Sequence, residues 1–223
     1  MKDRTRGKIR FLAGFGAYFG TVWLLWNTPV VLPLKLFVVL LHEASHGLVA
    51  LATGGQILEI VITADEGGRC VCPGGSRFLT LSAGYLGSLG WGALILWAAA
   101  RGAAWSRWTS GTIGVGLGAL SLLYLRNPFG LLFGLAAGGA LLFVGWKLSS
   151  RTNLILLTLL GLTSCLYAVL DIKSDILDRP EALSDAAMLA AFTGIPTLLW
   201  GIAWIAVALW VSWRLLRRAY RRA

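Results

Sequence analysis

The sequence predicts an all-α polytopic membrane protein with about six to seven transmembrane helices and one small β-hairpin. Hydrophobic residues make up 57% of the 223 residues, charged residues make up only 13%, and the mean hydropathy is +0.73. A soluble chain of this length needs more polar side chains to cover its surface. Because apolar runs follow one another almost without a break, we expect a single membrane-embedded domain over residues 1–223.

The apolar runs predict seven helices in chain order. A spanning helix needs about 20 predominantly apolar residues, and only the fourth run is clearly short. The runs cover residues 11–31, 33–53, 78–100, 112–125, 129–146, 153–177 and 186–213. Two basic chain ends ask for an even number of crossings. Either one of the first two runs or the short fourth run does not cross fully, or one of the basic ends lies outside.

The net charge of +10 is concentrated at the two ends of the chain. A basic tail over residues 1–10 and another over residues 214–223 flank apolar segments, which is typical of anchors that face anionic lipid. No nucleic-acid recognition module accompanies these charges. We therefore expect the lipid bilayer, and not a nucleic acid, as the partner of the basic ends, while the oligomeric state stays open.

A β-hairpin is predicted between the second and third helices. Residues 54–75 contain two β-type runs, 57–63 and 69–72, which are separated by Asp65-Glu66-Gly67-Gly68 and bounded by glycine pairs. An open sheet edge cannot face lipid, so the hairpin must lie in water, at the interface or against other protein. Its edge can accept an extended peptide as an added strand. Cys70 and Cys72 share one face, but no second ligand pair follows them, so we expect no metal there.

A His-Glu-x-x-His pattern lies inside the second apolar run. His42 and His46 are four residues apart, so both imidazoles fall on one helix face and can bind one metal ion. They are the only histidines of the chain, and ionisable side chains buried in a membrane helix usually mark function. The pattern predicts Zn²⁺ bound by both histidines, with Glu43 as the base that takes a proton from water. The alternative is a coincidental match in which the three side chains line a helix interface.

A carboxylate is expected as the third protein ligand of the metal, because no further histidine exists. Asp171 is preferred since it lies deepest in the sixth apolar run, and Asp175 lies one turn further on. Asp185 has a local explanation, because Ser184-Asp185 opens the last predicted helix, where capping and the helix dipole favour it. Asp175 and Asp185 are therefore the less favoured ligands.

These features together resemble the site-2 protease family of intramembrane zinc metalloproteases, and most closely a short bacterial branch without a PDZ domain. The matching features are the membrane-buried pattern over 42–46, the Gly54-Gly55 turn, the strand-rich stretch over 57–72, and the Ala-Gly-Tyr-Leu-Gly segment over 83–87. The resemblance implies that His42 and His46 bind zinc, that Glu43 activates water, and that an Asp on a late helix completes the site. One departure is that the better-known members carry an Asp-Gly pair at the third ligand, whereas Ile172 follows Asp171 here.

The resemblance also implies a function. It is that of a zinc metalloendopeptidase in a bacterial cell membrane, which hydrolyses a peptide bond in a membrane-embedded protein substrate. The alternative is a non-proteolytic scaffold or binding protein with a structural or vestigial zinc site, and the missing Asp-Gly pair motivates it. A metal transporter would need a chain of polar ligands across the membrane, and the sequence supplies only one cluster.

Overall fold

The structure, a computed structural model, confirms an all-α membrane fold with one two-stranded hairpin. It describes residues 2–178 and 184–222. Within those ranges the elements are α1 (Lys2–Leu25), α2 (Leu32–Ala52), β1 (Glu59–Ile62), β2 (Gly68–Val71), α3 (Arg77–Ala99), α4 (Ala103–Tyr124), α5 (Pro128–Lys147), α6 (Ser150–Lys173), α7 (Asp185–Thr193) and α8 (Thr197–Arg222). A π-helical turn over Ser174–Asp178 continues α6.

Among the described residues, five helices are long and apolar enough to cross a membrane. They are α2, α3, α5, α6 with its π-helical turn, and α8. The two other long helices, α1 and α4, correspond to the first and fourth apolar runs, both of which were doubtful as full crossings. The chain is therefore a multi-pass integral membrane protein.

The last apolar run does not form the single helix predicted for it. Gly194 has a φ of +74°, a left-handed conformation that ends α7, and Pro196 follows it. Glycine adopts this conformation readily, and proline shortly after it prevents the helix from continuing. The break separates the short helix α7 from the spanning helix α8. Helix α7 begins at Asp185, directly after its cap Ser184.

Helix α3 packs between α2 and α6 through small residues. The backbones of α3 and α6 approach so closely at Gly92 and Gly161 that a Cβ atom on Gly92 would lie 2.8 Å from the Gly161 carbonyl oxygen. The Ser164 hydroxyl donates to the Ser88 carbonyl across the same interface at 2.7 Å. Small residues allow such approaches between membrane helices, and they bring α3 against the face of α2 that carries both histidines.

The hairpin lies against α2, one of the three environments predicted for it. Strand β1 pairs antiparallel with β2, with Ile60 opposite Cys70. Ile60 is fully buried. At the turn of the hairpin, Glu66 accepts a hydrogen bond from Lys35 of α2 at 2.9 Å. The hairpin therefore runs back along the helix that precedes it.

The outer edge of β1 is covered by the short connection between α4 and α5. The Arg126 amide donates to the Ile60 carbonyl at 3.1 Å. The Asn127 side chain bonds both backbone groups of Ile62, accepting from its N–H at 3.2 Å and donating to its C=O at 2.6 Å. These bonds satisfy the edge of β1, so the outer edge of the hairpin that remains is that of β2.

Candidate metal centre

Two histidines of α2 and the first residue of α7 form a compact group. The Nε2 atoms of His42 and His46 each lie 3.0 Å from Oδ2 of Asp185. The ligand atoms of all three residues lie within 4.8 Å of one another, and no other such group of three occurs among the described residues. His46 and Asp185 are buried, and His42 is nearly so. The arrangement can hold one metal ion.

Both imidazoles direct Nε2 to Asp185, because Nδ1 of each ring faces a different partner. Nδ1 of His46 donates to the Thr80 carbonyl of α3 at 2.7 Å. Nδ1 of His42 lies 3.7 Å from Oδ2 of Asp171 on α6. A carbonyl or carboxylate partner on one nitrogen of a histidine orients the ring and leaves the other nitrogen for a metal.

The geometry groups Asp185, rather than Asp171, with the two histidines. Ser184 caps α7 by accepting a hydrogen bond from the Ala187 amide at 3.2 Å, as predicted for this helix start. Ala186 and Leu189 are fully buried against α3 and α8, which fixes the first turn of α7 beside α2. Asp185 can thus open a helix and also lie in the candidate metal group. The sequence-based prediction disfavoured Asp185 as a ligand because its position at a helix start already had an explanation.

Asp171 and Asp175 lie around His42 without joining the group. Asp171 faces the Nδ1 side of the His42 ring. Asp175 accepts a hydrogen bond from the Tyr85 hydroxyl at 2.5 Å. The Tyr85 ring stands edge-on to the His42 ring, with 5.1 Å between the ring centroids. Tyr85 therefore forms one wall of the centre, a contact that its sequence position did not reveal.

Glu43 is buried between α2 and the hairpin. Its carboxylate accepts a hydrogen bond from the backbone N–H of Cys70, and it is close enough to both histidines and Asp185 for their charges to interact. A Cβ atom on Gly68 would lie 2.8 Å from Cγ of Glu43. Strand β2 thus lies directly over the predicted base, and a residue without a side chain is needed at position 68.

Gly84 leaves room in front of the metal-facing nitrogens. A Cβ atom at this position would collide with Nε2 of His42 and would lie 2.6 Å from Nε2 of His46. Gly87 of the same segment lies against Ser45, where the lack of a side chain lets α3 approach α2 closely. Gly84 has a different function, and the sequence carried no signal that separates the two glycines.

Two sets of groups outside the spanning helices have shifted pKa values. Burial acts to raise the pKa of Asp185, but His46 and His42 outweigh it and hold this pKa below the usual range. A hydrogen bond between the thiols of Cys70 and Cys72 lowers the pKa of Cys72 to about 7 and raises that of Cys70. Both cysteines are free and lie outside the metal group. The lowered pKa of Asp185 means that its carboxyl group is anionic, which is the form of a carboxylate that can bind a metal.

The chain matches a protein family along most of its length. The family model described as Peptidase M50B-like matches residues 15–215, a range that includes α2, the hairpin, α3, α6 and α7. No curated protein and no solved structure matches the chain. The match includes every residue of the metal group, and it agrees with the resemblance seen in the sequence. The protein therefore belongs to the Peptidase M50B-like family, a site-2 protease family.

Proposed function

We propose that this protein is an intramembrane zinc metalloendopeptidase that hydrolyses a peptide bond in a membrane-embedded protein substrate. The observation that carries the proposal is the convergence of two Nε2 atoms, those of His42 and His46, on one carboxylate oxygen of Asp185 at 3.0 Å. Glu43 is buried next to this group. Membership of a peptidase family supports the reaction class.

The three residues fit a catalytic zinc site. Two imidazole nitrogens and one carboxylate oxygen are an established protein ligand set for zinc, which leaves a fourth position open. With bonds of about 2.0–2.1 Å, neighbouring ligand atoms of a tetrahedral zinc ion are about 3.3 Å apart, and the nitrogen-to-oxygen distances here are 3.0 Å. Because Nδ1 of His46 donates to a carbonyl, its Nε2 carries the free lone pair that a metal needs. We therefore assign His42, His46 and Asp185 as the zinc ligands.

Asp171 has a positioning role in this proposal. Its carboxylate lies on the Nδ1 side of His42, where it favours the tautomer that keeps Nε2 free. Hydrogen bonding of this kind also raises the basicity of a ligating imidazole. Asp171 would thus act through His42 and would not itself bind the metal.

The metal ion and Glu43 would have separate roles in the hydrolysis. Zinc supplies a Lewis acid that polarises a peptide carbonyl and lowers the pKa of water. The Glu43 carboxylate takes the proton of the attacking water as general base and then delivers it to the leaving amine. The backbone N–H of Cys70 bonds this carboxylate and limits its rotation.

The substrate would bind as an extended strand on the outer edge of β2. A peptide bond in a membrane helix is enclosed by helical hydrogen bonds, so the segment must unwind before it can be cut. The β1 edge is already occupied by the connection between α4 and α5. The β2 edge faces Glu43, so a strand added there would bring a peptide carbonyl next to the base.

The experiment that tests the proposal compares Glu43→Gln with Glu59→Gln. The first change removes the base but keeps the shape, and the second neutralises a hairpin carboxylate that pairs with Arg69 at 2.8 Å. Cleavage of a panel of single-span membrane proteins tagged at both ends, reconstituted with the full chain and zinc, is followed by gel. We expect Glu43→Gln to lower cleavage by about 10²- to 10⁴-fold, with zinc content unchanged and Glu59→Gln close to wild type. Unchanged turnover in Glu43→Gln would contradict the assigned role and favour a scaffold with a vestigial site.

A further inference from the structure

Cys70 and Cys72 form a pair of neighbouring thiols that the proposed hydrolysis does not use. Both cysteines are free, and their thiols share a hydrogen bond. The Cys72 sulfur also lies 3.6 Å from the Cys70 carbonyl oxygen. Residues two apart in a strand point to the same face, so neither side chain has to turn around to meet the other. The two sulfur atoms are therefore already in contact.

The third cysteine of the chain cannot compete for either sulfur. Cys165 is the only other cysteine in the sequence. It is buried between α6 and α3, where a Cβ atom on Gly92 would lie 2.7 Å from its Sγ atom. Cys165 and Cys70 belong to different apolar clusters. A disulfide within one chain can therefore form only between Cys70 and Cys72.

The two thiols differ in their surroundings. The Cys70 side chain points to α2, and its sulfur would lie 3.5 Å from a Cβ atom on Gly47. Cys72 follows the last residue of β2, is partly exposed, and precedes the exposed Pro73. The hydrogen bond from Cys70 lowers the pKa of Cys72 to about 7, and the thiolate is the form that reacts. An accessible reactive thiol beside a second, resolving thiol is the usual arrangement of redox-sensing cysteines.

Cys70 connects this thiol pair to the candidate metal centre. Its backbone N–H donates to the Glu43 carboxylate. Strand β2 has no spare room at this point, because a Cβ atom on Gly68 would lie 2.8 Å from Cγ of Glu43. A shift of the backbone at Cys70 therefore changes the contact that holds Glu43.

A disulfide between these two residues requires such a shift. Cα atoms two residues apart in a strand are about 6.6–6.8 Å apart, whereas those of bridged cysteines are most often about 5.5–6 Å apart. The carbonyl groups before and after Cys72 accept backbone hydrogen bonds from Leu58 and Gln56 at 2.9 Å and 3.0 Å. Cys70 is held less firmly, since its N–H bonds Glu43. The shortening of about 1 Å therefore falls mainly on Cys70.

We propose that Cys70 and Cys72 are a redox-sensitive dithiol, which a hydroperoxide converts to a disulfide that draws Cys70 away from Glu43. The Cys72 sulfur attacks one peroxide oxygen and the O–O bond breaks, which gives a sulfenic acid at Cys72 and, with hydrogen peroxide, one water molecule. The Cys70 sulfur then attacks the Cys72 sulfur. The S–O bond breaks, the S–S bond forms, and the hydroxyl group leaves with the thiol proton as a second water molecule. The two thiols lose two electrons, the peroxide gains them, and a dithiol reductant reverses the bridge.

The effect of this bridge on peptide cleavage rests on the proposed function. Glu43 is the proposed base, so an oxidised chain would lose the contact that orients it and would hydrolyse its substrate more slowly. Formation of the bridge itself depends only on the two thiols and the oxidant. The two parts of the proposal can therefore be tested separately.

Mass spectrometry of the full chain treated with hydrogen peroxide tests the bridge without any need for activity. We expect the peptide that contains residues 70 and 72 to lose two hydrogen atoms and to regain them with dithiothreitol. Cys165→Ala is the matched control and should form the same bridge. Cys70→Ser should stop at the sulfenic acid of Cys72, which a cyclic 1,3-diketone captures. A disulfide between two chains, oxidation at Cys165 in place of Cys72, or irreversible oxidation without a bridge would overturn the proposal.

Two further measurements test the coupling to Glu43. Amide hydrogen exchange of the same peptide should become faster on oxidation, because the Cys70 N–H loses its partner, and unchanged exchange would overturn the coupling. Cleavage of a tagged membrane substrate should fall by about tenfold or more in the oxidised wild type and should return on reduction. Cys72→Ser should cleave like the reduced wild type and should not respond to peroxide.

These outcomes separate the dithiol from the proposed function. A bridge that forms while cleavage stays unchanged would overturn the coupling to Glu43. If the bridge forms and hydrogen exchange becomes faster, but the reduced chain cleaves no substrate, the dithiol stands and the proposed function fails. The measurements on the wild type and on Cys165→Ala decide the bridge even where Cys72→Ser folds poorly.

Discussion

Two carboxylates approach the same imidazole from opposite sides, one from the start of α7 and one from the end of α6. Asp185 lies 3.0 Å from Nε2 of His42 and equally close to Nε2 of His46. Asp171 lies 3.7 Å from Nδ1 of His42, outside the metal group. In the proposed site, the ring nitrogen that a carboxylate faces, and not its depth in an apolar run, therefore separates the proposed metal ligand Asp185 from the proposed positioning residue Asp171.

The largest expected effect comes from filling the space in front of the two histidine Nε2 atoms, the side on which Asp185 lies. Gly84→Ala places a methyl group against the Nε2 atoms of both histidines, so the proposed zinc ligands cannot keep their positions. A displacement of about 1 Å at reacting groups costs about 100-fold in rate, and we expect at least that loss of cleavage, with zinc content reduced. Cleavage of a tagged membrane substrate and metal analysis of the purified protein measure both.

The matched control for this change is Gly90→Ala on the same helix. A Cβ atom on Gly90 meets nothing within 4 Å, and alanine is favoured over glycine in a helix by about 1 kcal/mol. Gly90→Ala should keep wild-type zinc content and activity. Equal activity in Gly84→Ala and Gly90→Ala would show that the space in front of the histidines is not needed.

A smaller effect is expected on the Nδ1 side. Asp171→Asn removes the charge that faces His42 and keeps a similar shape, so the histidine should bind zinc less tightly. Loss of such an orienting partner typically lowers metal affinity by about 10- to 100-fold. Chelator competition measures the affinity, and Asp178→Asn, which alters an exposed pair with Lys173, is the control. A complete loss of binding at saturating zinc would mean that Asp171 is itself a ligand.

The smallest expected effect concerns Cys70 and Cys72, the two thiols of the hairpin. Cys72 has a pKa of about 7 because the Cys70 thiol donates a hydrogen bond to its sulfur. The thiolate is the reactive form, so alkylation of Cys72 should rise as the pH increases through about 7. In Cys70→Ala the midpoint should move up towards about 8.5, the usual value for a free cysteine. Mass spectrometry of the alkylated peptide follows the change, and an unmoved midpoint would exclude the hydrogen bond as its cause.

Much of the fold was predictable because the bilayer imposes strong constraints. Apolar runs of helical length and the glycine-bounded hairpin agree with the structure. The doubt about full crossings concerned the first two runs and the fourth, and of these the second forms the spanning helix α2. The break at Gly194 was missed because apolar residues continue on both sides of it, and hydropathy does not register a left-handed glycine. Because of that break, α7 is a separate short helix, and its packing against α3 and α8 positions Asp185.

The geometry of the candidate metal centre was predictable in part. The positions of His42, Glu43 and His46 follow from spacing within one helix, where geometry is local. The third carboxylate depends on how α7 packs against α3 and α8, which is a tertiary relationship that sequence depth does not report. The contacts of Gly84 and of the Thr80 carbonyl could not be predicted either, because both depend on how α3 packs against α2. Gly84 matters because it has no side chain, and Thr80 matters through its backbone oxygen.

Zinc content at saturating metal tests the central claim most directly. The full chain is purified in detergent as wild type, Asp185→Ala and Asp171→Ala, with helical content checked by circular dichroism. The proposed ligand set predicts about one zinc ion per chain in wild type and in Asp171→Ala, and a loss of that ion in Asp185→Ala. Zinc retained in Asp185→Ala but lost in Asp171→Ala would contradict the account and return the third ligand to α6.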